Sequence, residues 1–264
     1  MREMEPMADP ILRLENLNKH FGGVHAVKDI TFSLEQGELA GLIGPNGAGK
    51  TTVFNLITGV YSPDSGQILF KGEDIASRKT YEVVAKGIAR TFQNLRLFPR
   101  STALENVMTA CQQHFRYNFF EALTHLGRWR NNENSIRKMS LDLLERVGLL
   151  PVAEQAAGTL PYGHQRRLEI ARALALQPEL LLLDEPAAGM NPEEVHVLNG
   201  LILNIHRDFN LTTLVIEHHM EVIMEICPHI VCMNFGEKIA EGDPDHIQNN
   251  PEILKAYLGE EVEE

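Results

Sequence analysis

"LAGLIGPNGAGKTTVFNLITG", residues 39–59, carries the reading of the whole chain. It opens on an apolar run that reads as a buried strand, passes through a glycine turn and continues as a helix. That order is the context in which the pattern G-x-x-x-x-G-K-[ST], met at Gly44, Gly49, Lys50 and Thr51, has a physical meaning. Gly47 and Gly49 permit a turn that points successive backbone N–H groups inward. The helix N-terminus adds its positive dipole end, so the loop cradles a polyphosphate. The contacting stretch is Gly44, Pro45, Asn46, Gly47, Ala48, Gly49, Lys50, Thr51 and Thr52. Lys50 is expected to reach the β- and γ-phosphates and Thr51 to ligate Mg²⁺.

"LLLLDEP", residues 180–186, supplies the complementary half. A carboxylate at the end of a buried strand beside the phosphate loop can hold the water shell of Mg²⁺, the role expected of Asp184. Glu185, immediately after it, projects differently and is placed to orient or deprotonate an attacking water. Together the two segments point to hydrolysis of Mg²⁺·ATP rather than storage of a nucleotide.

The composition is compatible with this. The chain has 264 residues, 44% apolar and 23% charged, ordinary values for a globular protein with a sizeable core. Its 36 acidic residues against 24 basic give a formal charge of −12, which argues against a broad nucleic-acid-binding face. Cys111, Cys227 and Cys232 are an odd number without CxxC spacing, and read as buried thiols in a reducing compartment. No apolar run approaches the ~20 residues that span a bilayer, and the N-terminus lacks a basic start followed by an apolar core. The expectation is a cytoplasmic protein, or one held to a membrane through a partner. Both ends, "MREMEP" and "GEEVEE", are expected to fray.

Around the two motifs the chain alternates strands and helices, the mark of an α/β fold. "ILRLENLNKHF", "HAVKDITFSLEQGE" and "SPDSGQILFKGEDI" alternate apolar and polar residues and suggest a small antiparallel sheet near the N-terminus. From Leu104 to Leu150 strand signals give way to helical spacing, an all-helical insertion. A helix starting near Gly163, the strand ending in Asp184, a helix through "EEVHVLNGLILNIHRDF", the strand "TTLVIEH", a hairpin around "VCMNFGEKIAEGD" and one closing helix, "DPDHIQNNPEILKAYLG", complete the order.

With these motifs in this order, the chain resembles the ATP-binding cassette (ABC) ATPases over nearly its whole length. The resemblance implies a P-loop NTPase fold with an N-terminal antiparallel β-subdomain and an α-helical subdomain. It divides residues 10–260 into a core of 10–98 and 164–245 and a helical subdomain of 99–163, with a C-terminal helix and acidic tail from 246 to 264. Gln93 in "TFQN" matches the glutamine that contacts Mg²⁺ and the γ-phosphate region, and His218 in "VIEHHM" matches the switch histidine. Phe21 in "KHFGG" matches the aromatic that stacks on adenine. "LPYGH", residues 160–164, stands where the family has its signature LSGGQ, which faces the γ-phosphate held by the opposite protomer, a contact assigned to Gly163 and the backbone of its helix. Pro161, Tyr162, His164, Asn191 and His219 depart from the family pattern. Pro161 in particular removes a hydroxyl and an N–H near the helix start.

Within the family, "RTFQNLRLFPRSTALENV", "YGHQRRLEIARALALQPELLLLDEPAAGMNP", "HFRYNFFEALTHLGRWRNN" and "IQNNPEILKAYLGEE" are similar to the importer ATPases for branched-chain amino acids. That implies a peripheral protein on the cytoplasmic face of the inner membrane. Its implied partners are membrane subunits, a second ATPase subunit in a homo- or heterodimer, and, indirectly, a periplasmic solute-binding protein. The alternatives are the ATPases of lipopolysaccharide export or of other amino-acid, amide or urea importers, a soluble ABC ATPase such as one of iron–sulfur cluster assembly, and a small-molecule phosphotransferase.

Overall fold

The computed structural model describes residues 9–114, 128–218 and 220–258. "MREMEP", "GEEVEE", His219 and most of "HFRYNFFEALTHLGRWRNN" lie outside them. The chain opens with a hairpin of β1 (Leu12–Phe21) and β2 (Val24–Leu34), passes through β3 (Leu39–Ile43) into α1 (Lys50–Ile57), and returns as β4 (Ser65–Phe70) and β5 (Glu73–Asp74). Then come α2 (Thr80–Ala85), β6 (Ile88–Arg90), α3 (Ala103–Cys111) and α4 (Arg128–Arg146). The second half runs α5 (Tyr162–Leu174), β7 (Leu180–Asp184), α6 (Pro192–Asp208), β8 (Thr212–Ile216), α7 (Met220–Ile226), β9 (His229–Asn234), β10 (Glu237–Gly242), α8 (Pro244–Gln248) and α9 (Pro251–Leu258).

Two sheets result. One is four-stranded, β2-β1-β4-β5, and antiparallel throughout. The other has the order β10-β9-β3-β8-β7-β6, parallel from β9 to β6 with β10 antiparallel at one edge. Strands β3, β7 and β8 are buried along their whole length, so their period-two alternation feeds both faces of the sheet. Ala40, Leu42, Leu180, Leu182, Leu214 and Ile216 face a core shared with α1 and the antiparallel sheet. Leu39, Ile43, Leu181, Leu183 and Val215 face a second core shared with α3, α5 and α6. The phosphate loop and the acidic pair leave the same end of this sheet, but β8 lies between β3 and β7, so the two strands are not the neighbours that the sequence suggested.

Among the described residues, 103–146 hold helices and no strand; the nearest pairing is an isolated bridge between Thr102 and Ala156. Two expectations are corrected. The closing helix is two, α8 and α9, because Pro251 has no N–H to donate backwards and disfavours helical geometry in Asn250. The signature helix begins at Tyr162, with Pro161 outside it as the N-cap in an extended conformation, φ −54° and ψ 151°. Its carbonyl accepts from the N–H groups of His164 and Gln165 at 2.9 and 3.0 Å. The proline thus takes no donor from the helix, whose first N–H groups belong to Tyr162 and Gly163. All three cysteines are buried free thiols, and burial pushes Cys232 up to about 12. No helix among the described residues is long and apolar enough to cross a membrane.

Candidate active site

The loop between β3 and α1 is shaped by glycine. Gly44, Gly47 and Gly49 have φ of 151°, 75° and 99°. A Cβ at Gly44 would lie 2.1 Å from the Met233 carbonyl oxygen, and one at Gly49 would lie 2.4 Å from that of Ala26. Only glycine lets β9 and β2 press so closely against the turn. The turn borders a cavity of about 590 Å³, large enough for a nucleotide, lined by Asn46 through Thr52 together with parts of β2, Glu185 and Phe235. Lys50 is buried, and its Nζ donates to the carbonyls of Gly44 and Pro45.

The acidic pair lies at the end of β7. Asp184 is buried and accepts at 2.6 Å from the guanidinium of Arg90 on β6, an ion pair almost without solvent. Burial pushes its carboxyl up, and the Arg90 contact opposes that shift only in part. Arg90 also donates to Asn55 Oδ1 on α1 at 2.7 Å, which ties the helix after the phosphate loop to the acidic strand. Asp184 Oδ1 is buried with no hydrogen-bond partner among the described residues. An orphaned anionic acceptor of this kind suits the water shell of a divalent cation.

Glu185 has φ 46°, a left-handed conformation uncommon for a long side chain, and its N–H donates to Ile216 O at 2.9 Å. Glu185 lines the cavity of the phosphate loop. Gln93 Nε2 donates to Glu185 Oε2 at 2.7 Å. Glu217 at the end of β8 is fully buried and accepts from Ala187 N–H at 2.8 Å, fixing the loop after the acidic pair. Burial pushes its carboxyl up to about 7, the Ala187 N–H opposes that, and Glu185 adds to it. His218 follows with its side chain about one-third exposed, Nδ1 3.9 Å from Glu217 Oε2.

The structure thus brings Lys50, Thr51, Thr52 and Glu185 to one cavity, with Gln93 joined to it through Glu185 and Asp184 behind it. Phe21 is not part of that cavity wall: at the end of β1, 41% exposed, it meets Tyr61 edge-on at 5.0 Å between ring centroids. Gly163 lies elsewhere, beside a second cavity of about 300 Å³ between α5 and α6. There Tyr162 packs by Gly189 and its hydroxyl accepts from Arg166 Nε at 2.9 Å. Asn191, where the family usually has Asp, caps α6 by accepting from Glu194 N–H at 3.0 Å, as an aspartate would.

Sequence reading missed the charged face that joins α5 to the Gln93 segment. Arg166 donates to the carbonyls of Phe92 (2.8 Å) and Gln93 (2.5 Å), Glu169 accepts from Phe92 N–H at 3.2 Å, and Arg172 donates to the carbonyl of Arg96. The signal was present: charges at 166, 169 and 172 repeat every three residues on a helix and share one face.

The phosphate loop, the acidic pair and the glutamine bridge coincide with a family assignment. Residues 27–188 match the model of the ABC transporter family. The chain belongs to that family. Within it, the chain is an ATP-hydrolysing subunit: its relatives and its fold are those of ABC ATP-binding proteins. Residues 237–263 match a second family model, described as branched-chain amino acid ATP-binding cassette transporter. The chain is 45% identical over 254 residues to the high-affinity branched-chain amino acid transport ATP-binding protein BraF of Pseudomonas aeruginosa, covering 96% of this chain and all of that one. It is similar to a crystal structure of the ADP conformation of an ATP-binding cassette of an ABC transporter, with TM-score 0.82 and 31% identity over 95% of this chain and 99% of the other. A dimeric post-hydrolysis cassette bound to ADP and Pi matches with TM-score 0.75 and 25% identity, covering 88% and 98%.

Proposed function

We propose that this ABC ATPase energises the import of branched-chain amino acids through partner membrane subunits, working as a dimer with a second ATPase chain, identical or related, on the cytoplasmic face of the membrane. The observation that carries the choice of solute is the match over residues 237–263, which lies beyond the phosphate loop and the acidic pair and so is not explained by ATP chemistry alone. The 45% identity to BraF over its whole length supports the same reading. A periplasmic solute-binding protein would deliver the amino acid to the membrane subunits, and residues 99–163 would form the arm that grips them near Gln93.

The site residues have distinct tasks in this reading. The N–H groups of Asn46 to Thr52 hold the phosphates, and Lys50 turns from its loop carbonyls to the β- and γ-phosphates. Thr51, Gln93 and the buried Asp184 fit a hydrated Mg²⁺, which when bound neutralises charge on the transferring phosphoryl group. Glu185 accepts a proton from the attacking water, and Gln93 holds that carboxylate in place. His218 meets the γ-phosphate, and the α5 terminus at Gly163 completes the site of the neighbouring protomer. Arg166, Glu169 and Arg172 make the Gln93 segment move with α5, so closure of the dimer is passed toward the membrane subunits.

The test is uptake of labelled leucine into proteoliposomes that hold the chain with its second ATPase subunit and membrane subunits, with the solute-binding protein and ATP each supplied on the side that orientation requires. ATP-dependent accumulation that Lys50→Ala abolishes is the expected result. ATP hydrolysis with no leucine, isoleucine or valine transport would refute the solute assignment.

A further inference from the structure

Strand β8 is buried along its whole length and apolar from Leu214 to Ile216, yet the next residue is a carboxylic acid, Glu217, with none of its surface exposed. Burying an acid is costly, and burial pushes this one up to about 7. A leucine would continue the strand without that cost, and none of the phosphate, water or Mg²⁺ contacts assigned to the site uses Glu217.

Its bonds supply a reason. The loop that leaves β7 is laced to the end of β8 at two points. Glu185 N–H donates to Ile216 O at 2.9 Å, a main-chain bond that any sequence could make. Two residues on, Ala187 N–H donates to Glu217 Oε1 at 2.8 Å, a bond that depends on this side chain. Ala188 N–H closes the turn on Glu185 O at 3.2 Å, so the backbone at Ala187 is tied to the backbone of Glu185. The same carboxyl group accepts from the His218 N–H. One buried side chain therefore joins the segment of Glu185 to the segment of His218, whose Nδ1 lies 3.9 Å from Glu217 Oε2.

We propose that Glu217 is a positioning residue for ATP hydrolysis: by holding the N–H groups of Ala187 and His218 on one carboxyl group, it sets the place of His218 relative to Glu185. The inference rests on the roles given above to those two residues. A misplacement of about 1 Å can cost about 10²-fold in rate, so such a clamp matters more to turnover than to nucleotide binding. What it needs is reach and an acceptor oxygen, which a carboxyl offers in either protonation state.

Steady-state ATP hydrolysis by the full chain, assembled with its second ATPase subunit and membrane subunits, tests it, together with isothermal titration of the chain with ADP. The turnover that Lys50→Ala removes is the share belonging to this site. Glu217→Leu, which fills similar space without an acceptor, should lower kcat of that share at least about tenfold, with KM for ATP and ADP affinity within about twofold. Glu217→Gln, which keeps the oxygen and the reach, should stay within about threefold of wild type. Should the Leu variant not fold, Glu217→Asp, one methylene shorter, is expected to show the same selective loss of kcat. Unchanged kcat, a parallel fall in ADP affinity, or a Gln variant as impaired as the Leu variant would overturn the proposal. If Lys50→Ala removes no turnover, or Glu185→Gln leaves it intact, the reading of the site itself fails.

Discussion

Glu185→Gln isolates the step that turns a nucleotide site into a motor. The amide has almost the shape of the carboxylate and keeps an oxygen for Gln93 Nε2, now 2.7 Å from Glu185 Oε2. The backbone N–H bond to Ile216 O and the strained φ of 46° do not depend on the carboxyl charge. What is lost is the ability to accept a proton from water. Positioned general bases contribute about 10²- to 10⁴-fold, or ~3–5 kcal/mol of barrier. Single-turnover phosphate release at saturating ATP should fall by that factor. ATP affinity should hold within about twofold, since no phosphate donor changes. The closed ATP-bound dimer should accumulate and be visible by size-exclusion chromatography. A release rate within about tenfold of wild type, or a parallel loss of ATP affinity, would refute the assignment of Glu185 as the base.

Three other perturbations have defined outcomes. Arg90→Ala strands Asp184, whose ion pair is nearly solvent-free, and should destabilise the fold by about 3–5 kcal/mol in urea unfolding. Gly49→Ala places a Cβ 2.4 Å from Ala26 O at a φ of 99°, and should both lower stability and abolish ADP binding measured by titration. Far from the nucleotide, His229 bridges Glu241 (3.0 Å) and Glu38, bonds that hold its imidazolium up to about 9 against the opposing cost of burial. A folded value above the ordinary ~6.5 gives stability that is complete below that pH and is lost as pH rises through about 9, worth at most ~3 kcal/mol. Urea midpoints should therefore drop between pH 7 and pH 10, and the drop should shrink in His229→Gln.

Much of this was readable before any coordinates. The apolar runs at 39–43 and 180–183 named the central strands because a strand buried on both faces needs no alternation. The hairpin around residues 231–243 announced itself through its glycine, and Lys50, Asp184 and Glu185 through their spacing. Strand β6 stayed hidden because three residues are too few to show a period. With it went Arg90, whose partner is 94 residues away. The helix expected to start near Gly163 starts at Tyr162, and the role of Pro161 as its N-cap was hidden because an N-cap and a first turn differ only in backbone angles. The edge-on contact of Phe21 with Tyr61, and the place of Phe235 at the cavity, depend on how two hairpins lie against the phosphate loop, which no local pattern encodes.

The central claim is that one chain's phosphate loop is completed by another chain's signature helix. ATP turnover per chain, measured across a wide range of protein concentration with Lys50→Ala as the blank, tests it most directly. The account predicts that specific activity rises steeply with concentration and levels off once the dimer is populated. Turnover per chain that is already full, and constant, at the lowest concentrations would contradict it, because a single protomer would then complete its own site.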